Sequence, residues 1–181
     1  MRPLFASSLL AIALAGCATA PASSPEATVT TPQESAWPAL RDSFIEGYFQ
    51  HFPTYAVYQG RHEFDGRLPD ISPAGLAARE AFLRDAIARG QALTGLAPVE
   101  RIERDQMILV ARNDLFELTD EDQPHRNPRY YLNLIDPSVY VTRPYAPPAT
   151  RLDAFIAHTR NIPAFVQQIE AAVAGLTGLK G

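Results

Sequence analysis

Four histidines are the first candidates for metal binding or acid–base chemistry in this 181-residue sequence: His51, His62, His125 and His158. A zinc hydrolase usually carries two histidines one helical turn apart, with a glutamate between them. No two of these histidines lie three to five residues apart, and the pair His62-Glu63 is followed by glycine where the second histidine is required. We therefore predict no catalytic residue, no metal ligand and no cofactor within this chain.

Other familiar chemistries are also missing from the sequence. It contains neither the G-x-S-x-G elbow of serine hydrolases nor a glycine-rich phosphate loop. Glu63, Asp65 and Asp70 lie in one predicted turn, but they lack the spacing of a calcium loop, so we interpret them as a solvated turn. The formal net charge is -4 and the arginines alternate with acids, which excludes a typical nucleic-acid-binding surface.

The segment 119–150 is the best candidate for ligand binding, because it is long, rich in proline and carries both arginine and tyrosine. Arginine pairs with carboxylates, and tyrosine packs on peptides. The alternative, which we favour, is that the tyrosines fold the loop onto neighbouring helices. The candidate substrate-contact residues are Arg126, Arg129, Tyr130, Tyr131, Tyr140, Arg143 and Tyr145.

The amino terminus has the pattern of an export signal. A run of apolar and small residues from Leu4 to Ala15 is too short to span a bilayer comfortably as a helix. It leads into Leu14-Ala15-Gly16-Cys17, which resembles a bacterial lipobox. Cys17 is the sole cysteine, so a disulfide within the chain is excluded. We predict a lipoprotein signal peptide over residues 1–16 and lipidation of Cys17; the alternative is an ordinary small residue at a cleavage site.

Residues 17–36 are mainly Ala, Pro, Ser and Thr, which predicts a disordered tether ahead of a helical region at 37–181. Each buried acyl methylene contributes about 0.8 kcal/mol, so several acyl chains anchor a protein stably. The membrane, reached through acylated Cys17, is the predicted partner. The predicted location is the bacterial cell envelope, facing the periplasm or the exterior.

Apolar residues recur every three or four positions beyond the tether, which predicts an all-α fold. The first helix should run from Trp37 to Pro53, and a short second helix should stop at Gly60. Ser72-Pro73 should open a long helix. Its outer side is expected to carry Arg79, Glu80, Arg84, Asp85 and Arg89.

A further long helix, Pro98 to Leu118, should form an antiparallel hairpin with the preceding one. Its two apolar stripes indicate burial on two sides; they are Val99, Ile102, Leu109 and Phe116, and Ile108, Ala111, Leu115 and Leu118. Thr150 and Asp153 predict a capping box for the next helix, and Pro163 should break that helix. The predicted architecture is an array of antiparallel amphipathic helices with one long Pro/Tyr-rich loop, an incomplete part of a larger helical domain.

Four stretches of the sequence are informative in combination: the run from Phe44 to Ser72, Arg126-Asn-Pro-Arg-Tyr130, the segment from Ala146 to Leu152, and Asn161-Ile-Pro163. They resemble a known bacterial family, the domain of unknown function 885 (DUF885). The resemblance covers roughly residues 37–181. The resemblance depends on the combination of these stretches, because no single stretch is diagnostic of the family.

The resemblance implies a helical protein, often a lipoprotein, that is similar to zinc peptidases with an HExxH motif. That motif lies downstream of the matched region, so the resemblance assigns zinc and a peptide substrate to the full-length family and no catalytic residue to this chain. The preferred hypothesis is the amino-terminal helical portion of a tethered, zinc-peptidase-like lipoprotein, inactive alone. The alternative is a non-catalytic helical lipoprotein that binds a ligand or serves a structural role.

Overall fold

Seven α-helices and two 3₁₀ helices make up the described part of the computed structural model, residues 35–174, and no β-strand occurs there. The α-helices are α1 (Trp37–His51), α2 (Pro53–Tyr58), α3 (Pro73–Ala92), α4 (Pro98–Thr119), α5 (Gln123–Arg126), α6 (Ser138–Thr142) and α7 (Pro148–Val173); the 3₁₀ helices are His62–Phe64 and Pro128–Leu134. The all-α prediction is confirmed. The predicted signal peptide, Cys17 and nearly all of the predicted tether lie outside the described residues.

Prolines and glycines set most of the helix boundaries. Pro53 ends α1 and occupies the first turn of α2, where its missing N–H costs no hydrogen bond. Gly60 follows α2 with a φ of 88°, as predicted for a left-handed stop. The Ser72 side chain accepts a hydrogen bond from the Gly75 N–H at 3.1 Å and caps α3.

Two predictions about the carboxyl-terminal half are wrong. Helix α7 begins at Pro148 with no side-chain cap, so Thr150 does not open it, and it continues through Pro163. Pro163 lies on the exposed side of the helix, while His158 and Phe165 on either side of it are buried. The packing of these two side chains holds both halves in one helix despite the local cost of proline. The predicted long loop is also more regular than expected, because prolines start short helical turns within it.

Helices α3 and α4 form the predicted antiparallel hairpin. Gly90, near the end of α3, lies against Met107 and Ile108 in the first half of α4. Arg79, in the first half of α3, and Glu117, near the end of α4, line one cavity. Three clusters of buried side chains fill the core around this hairpin. They are centred on Phe49, Val57 and Phe64; on Trp37, Leu40 and Met107; and on Ile71, Leu76 and Tyr131.

The two apolar stripes of α4 have different environments. Ile108 and Ala111 of one stripe are buried. In the other stripe the exposed fractions are 64% for Val99, 70% for Ile102 and 61% for Leu109, and Phe116 is also exposed. The described helices therefore cover α4 on one side. None of these helices is both long enough and apolar enough to cross a membrane.

Candidate functional site

A buried arginine on α3 is the most unusual polar group in the described structure. Arg79 has 2% of its surface exposed. The prediction that Arg79 lies on the outer side of the helix is wrong. Arg79 follows Leu76 by three residues and precedes Leu83 by four, so it belongs to the buried stripe of α3. This spacing was visible in the sequence, but the charge of the residue argued against burial.

The Arg79 guanidinium has few partners for a buried charge. Its Nη1 donates to the Tyr130 hydroxyl at 3.2 Å, and its Nη2 lies 3.5 Å from the carbonyl oxygen of His51. Its Cζ atom lies 4.6 Å from the ring centroid of Phe52. Nε is buried without an acceptor, and Arg79 forms no ion pair with any carboxylate between residues 35 and 174. A guanidinium carries five N–H donors, so this one is incompletely satisfied.

Several titratable groups respond to this positive charge. Burial raises the pKa of Asp114, although the Tyr48 hydroxyl, which donates to its carboxylate at 2.8 Å, and Arg79 both lower it. Burial lowers the pKa of His51, and Arg79 lowers it further. Burial also raises the pKa of Tyr130, and the positive charge of Arg79 acts in the opposite direction and lowers it. The region therefore combines one buried cation with neighbours that are hard to ionise.

A cavity of about 400 Å³ opens beside Arg79. Its volume lies within the usual range of ligand-binding pockets, roughly 300–1,000 Å³. The lining combines aromatic and apolar side chains with amides and charges of both signs: Phe52, Pro69, Arg79, Glu117, Asn127, Arg129, Tyr130, Asn133 and Leu134. We call this space the Arg79 cavity. Its polar groups suit a small polar ligand better than a purely apolar one.

Two of the seven candidate substrate-contact residues lie in this cavity. Arg129 is exposed at its edge, and Tyr130 is half-buried with its hydroxyl on Arg79. Arg126, on the same segment, is exposed and does not line the cavity. The structure thus places Arg129 and Tyr130 beside a buried arginine that the sequence analysis did not select.

The other tyrosines of the segment hold it against the helices. The Tyr131 hydroxyl donates to the carbonyl of Pro124 at 2.7 Å, and burial raises the pKa of Tyr131 to about 12. The Tyr140 hydroxyl accepts the Gly66 N–H at 2.9 Å, across a separation of 74 residues. These contacts favour the interpretation of these tyrosines as supports of the fold. The prediction that they contact a substrate remains a prediction.

Tyr145 and Arg143 make similar contacts. The Tyr145 ring stacks on His62 with centroids 3.4 Å apart, and its hydroxyl donates to Asp65 at 2.9 Å. Asp65 also lies 3.1 Å from Nδ1 of His62, so one carboxylate orients both rings. Arg143 donates to the carbonyl of Tyr58 at 2.7 Å. The arrangement of His62, Asp65 and Tyr145 is not predictable from the sequence, where only the three-residue spacing of His62 and Asp65 is visible.

The described residues do not fit a zinc site. Residues 35–174 contain no group of three or more His, Cys, Asp or Glu side chains that is arranged to hold a metal. His62 faces Asp65, while buried His158 lies with Nε2 at 3.1 Å from the carbonyl of Ile135. His125 is exposed and pairs with Asp122. The four histidines therefore lie in separate local environments.

Comparisons with known proteins place the chain in a family. Residues 53–177, more than half of the chain, match the family model described as "Bacterial protein of unknown function (DUF885)". No curated protein sequence shows significant similarity to the chain. A solved structure described as "a putative lipoprotein of unknown function from Shewanella oneidensis" has the same fold, with a TM-score of 0.66 and 24% identity, over 78% of this chain and 26% of that one. The chain thus spans about a quarter of the solved protein, and its match to the family model shows that it belongs to the DUF885 family.

Proposed function

We propose that this chain is the amino-terminal helical portion of a membrane-tethered, zinc-peptidase-like lipoprotein. In this proposal the chain forms one wall of a substrate cleft and supports catalytic helices that carry the HExxH motif. Its membership of the family and the resemblance to zinc peptidases noted above support this role. Because the chain carries no zinc ligand set among residues 35–174, we expect it to be inactive alone.

The exposed stripe of α4 is the observation that carries the proposal. Val99, Ile102 and Leu109 are each more than 60% exposed and follow one another along a single helix. Exposed apolar residues aligned on one side of a helix indicate an interface more strongly than apolar residues scattered singly over a surface. The solved protein of the same fold is about four times longer than the region it shares with this chain, so further helices are natural candidates to cover the stripe.

The test of this interface uses the full chain and a hydrophobic dye. We expect the chain to bind the dye or to self-associate, and the double variant Leu109→Gln/Phe116→Gln to lose most of that signal. The matched control is Val141→Gln/Leu152→Gln, which replaces two exposed apolar residues elsewhere and should change little. A monodisperse chain that binds no dye, or equal effects of both double variants, would contradict an interface on α4.

The catalytic part of the proposal has a separate test. After dialysis the chain should retain no stoichiometric zinc and cleave no peptide library, whereas a full-length relative should encode HExxH and lose activity when its glutamate becomes glutamine. Tight one-to-one zinc binding by the chain, lost in His62→Ala, would overturn the assignment. The DNA downstream of the codon for Gly181 should encode the motif in the same reading frame.

The tether rests on Cys17 and the lipobox that precedes it. We expect a labelled fatty acid to be incorporated into the wild-type protein and the protein to fractionate with membranes of the bacterial envelope. Cys17→Ser should abolish both, because acyl burial supplies the anchoring energy. A wild-type protein that is cleaved elsewhere and recovered without lipid would contradict lipidation.

A second candidate function is a non-catalytic lipoprotein that binds a ligand. The Arg79 cavity favours it, because a binding module needs a polar pocket and no zinc. The two candidates differ in the role of the α4 stripe. The peptidase-like protein requires the stripe to be covered by helices beyond the described residues, and the binding module does not.

A further inference from the structure

We propose that the Arg79 cavity is a binding site for a free carboxylate, which pairs with the guanidinium of Arg79 and is approached by Arg129. The proposal does not rest on the peptidase-like function, because it follows from the described side chains alone. A small organic acid and the carboxyl end of a peptide present the same group. The site should therefore recognise either one by its carboxylate.

Arg79 interacts electrostatically with Asp114 but forms no direct ion pair with a carboxylate of the described residues. The residue is 2% exposed, and a buried charge is costly unless it is paired and hydrogen-bonded. Only two of its five donors have protein acceptors, and the contact to the carbonyl of His51 is long at 3.5 Å. A carboxylate in the cavity would supply a direct ion-pair partner and further acceptors for the guanidinium.

Neighbouring side chains hold the guanidinium of Arg79 in one orientation. The Phe52 ring covers one face at 4.6 Å, and the Tyr130 hydroxyl holds Nη1, so the planar group is fixed before a ligand arrives. A fixed guanidinium binds a carboxylate through two parallel hydrogen bonds and loses little side-chain entropy on binding. The fixed orientation therefore favours a planar, two-oxygen anion over a single point charge.

The wall of the cavity carries a second arginine and a glutamate. Arg129 adds a second cation at the edge, and the amide side chain of Asn133 also lines the wall, whereas the amide of Asn127 already donates to Oε1 of Gln123 at 2.7 Å. Glu117 also lines the cavity and would repel an anion placed beside it. The carboxylate should therefore sit near the two arginines. Glu117, whose Oε1 accepts from Nδ2 of Asn113 at 3.1 Å, has further acceptor capacity for an N–H or an ammonium group of the same ligand.

Binding is measured by calorimetry on the full chain with N-acetylalanine, and with N-acetylalanine amide as the uncharged control. We expect saturable binding of the acid and at least tenfold weaker binding of the amide. In the arginine region of a ¹⁵N–¹H spectrum, the Nε–H resonance of Arg79 should shift on addition of the acid. N-acetyl-trialanine distinguishes the sources: at least tenfold tighter binding than N-acetylalanine identifies a peptide end, and similar affinity identifies a small acid.

Three variants assign the site. Arg79→Lys keeps the charge but loses the two-pronged donor, so it should weaken binding at least about tenfold. Arg129→Ala, at an exposed position, should weaken binding about threefold or more with an unchanged melting temperature. Arg126→Ala removes the same charge from the same segment outside the cavity, and its affinity should stay within about twofold of wild type.

Four results would overturn the proposal. They are absence of saturable binding up to about 10 mM acid, equal binding of the amide, undiminished affinity in Arg79→Lys, and equal losses in Arg129→Ala and Arg126→Ala. If Arg79→Lys does not fold, the comparison of Arg129→Ala with Arg126→Ala decides the question, since both positions are exposed.

Discussion

Replacing Gly66 with alanine tests how the turn after α2 is held against α7. Gly66 has a φ of 77°, its N–H donates to the hydroxyl of Tyr140, and its carbonyl accepts from Nδ2 of Asn161, each at 2.9 Å. A Cβ atom at this position would lie 2.7 Å from Cβ of Ala157 and 3.2 Å from the backbone nitrogen of His158. The substitution therefore strains the backbone and pushes the turn away from a helix.

The expected loss of stability has two parts. A non-glycine residue in the left-handed region costs about 1–2 kcal/mol, and an added group in a close-packed contact costs about 1–3 kcal/mol. The free energy of unfolding should therefore fall by about 2–5 kcal/mol. Gly60 is the matched control, because its φ is 88° and a Cβ atom added there would meet no atom within 4 Å beyond its chain neighbours. Gly60→Ala should cost the backbone part alone, about 1–2 kcal/mol.

The assay is urea denaturation of both full-chain variants, followed by circular dichroism. Alanine restricts the unfolded chain equally at the two positions, so that contribution cancels in the difference. The Gly66→Ala protein should be less stable than the Gly60→Ala protein by about 1–3 kcal/mol. Two variants within about 0.5 kcal/mol of each other would refute the close contact between the turn and α7.

Two further predictions concern α7 and α4. Pro163→Ala restores an N–H within α7 at an exposed position, so the free energy of unfolding should rise by about 1–3 kcal/mol in the same assay; no gain would contradict an uninterrupted helix. Burial raises the folded-state pKa of Asp114 above its unfolded value, so the wild-type protein loses stability as pH rises through that interval. Asp114→Asn should therefore be more stable than wild type near pH 7, and the advantage should shrink below about pH 4; an advantage that grows in acid would contradict the raised pKa.

Much of the helical framework is predictable from the sequence because its signals are local. Pro53 and Gly60 bound α2, Ser72 caps α3, and the five-residue link between α3 and α4 brings those two helices together. Each signal acts through the backbone of a few neighbouring residues. Distant packing then adjusts these elements without removing them.

The candidate site was not predictable in the same way, because it depends on contacts between distant segments. Arg79 meets Tyr130 across 51 residues, and Tyr145 meets Asp65 across 80. Pro163 shows the same limitation, because a local rule predicts a break where buried neighbours hold the helix together. Periodicity does indicate that Arg79 is buried, because Arg79 shares the stripe of Leu76 and Leu83. Only the charge of its side chain favours the outer side of the helix.

The two stripes of α4 show how a local pattern can contain information about parts of a protein that lie elsewhere. The sequence predicts apolar residues on two sides, yet the described helices bury only the side of Ile108 and Ala111. An exposed residue such as Ile102, at 70%, gains nothing from being apolar in the described structure, whereas burial of a side chain of that size contributes about 1.5–3 kcal/mol. The stripe is therefore best explained by an interface. For this reason the dye experiment on α4 distinguishes a chain that supports further helices from an independent binding module.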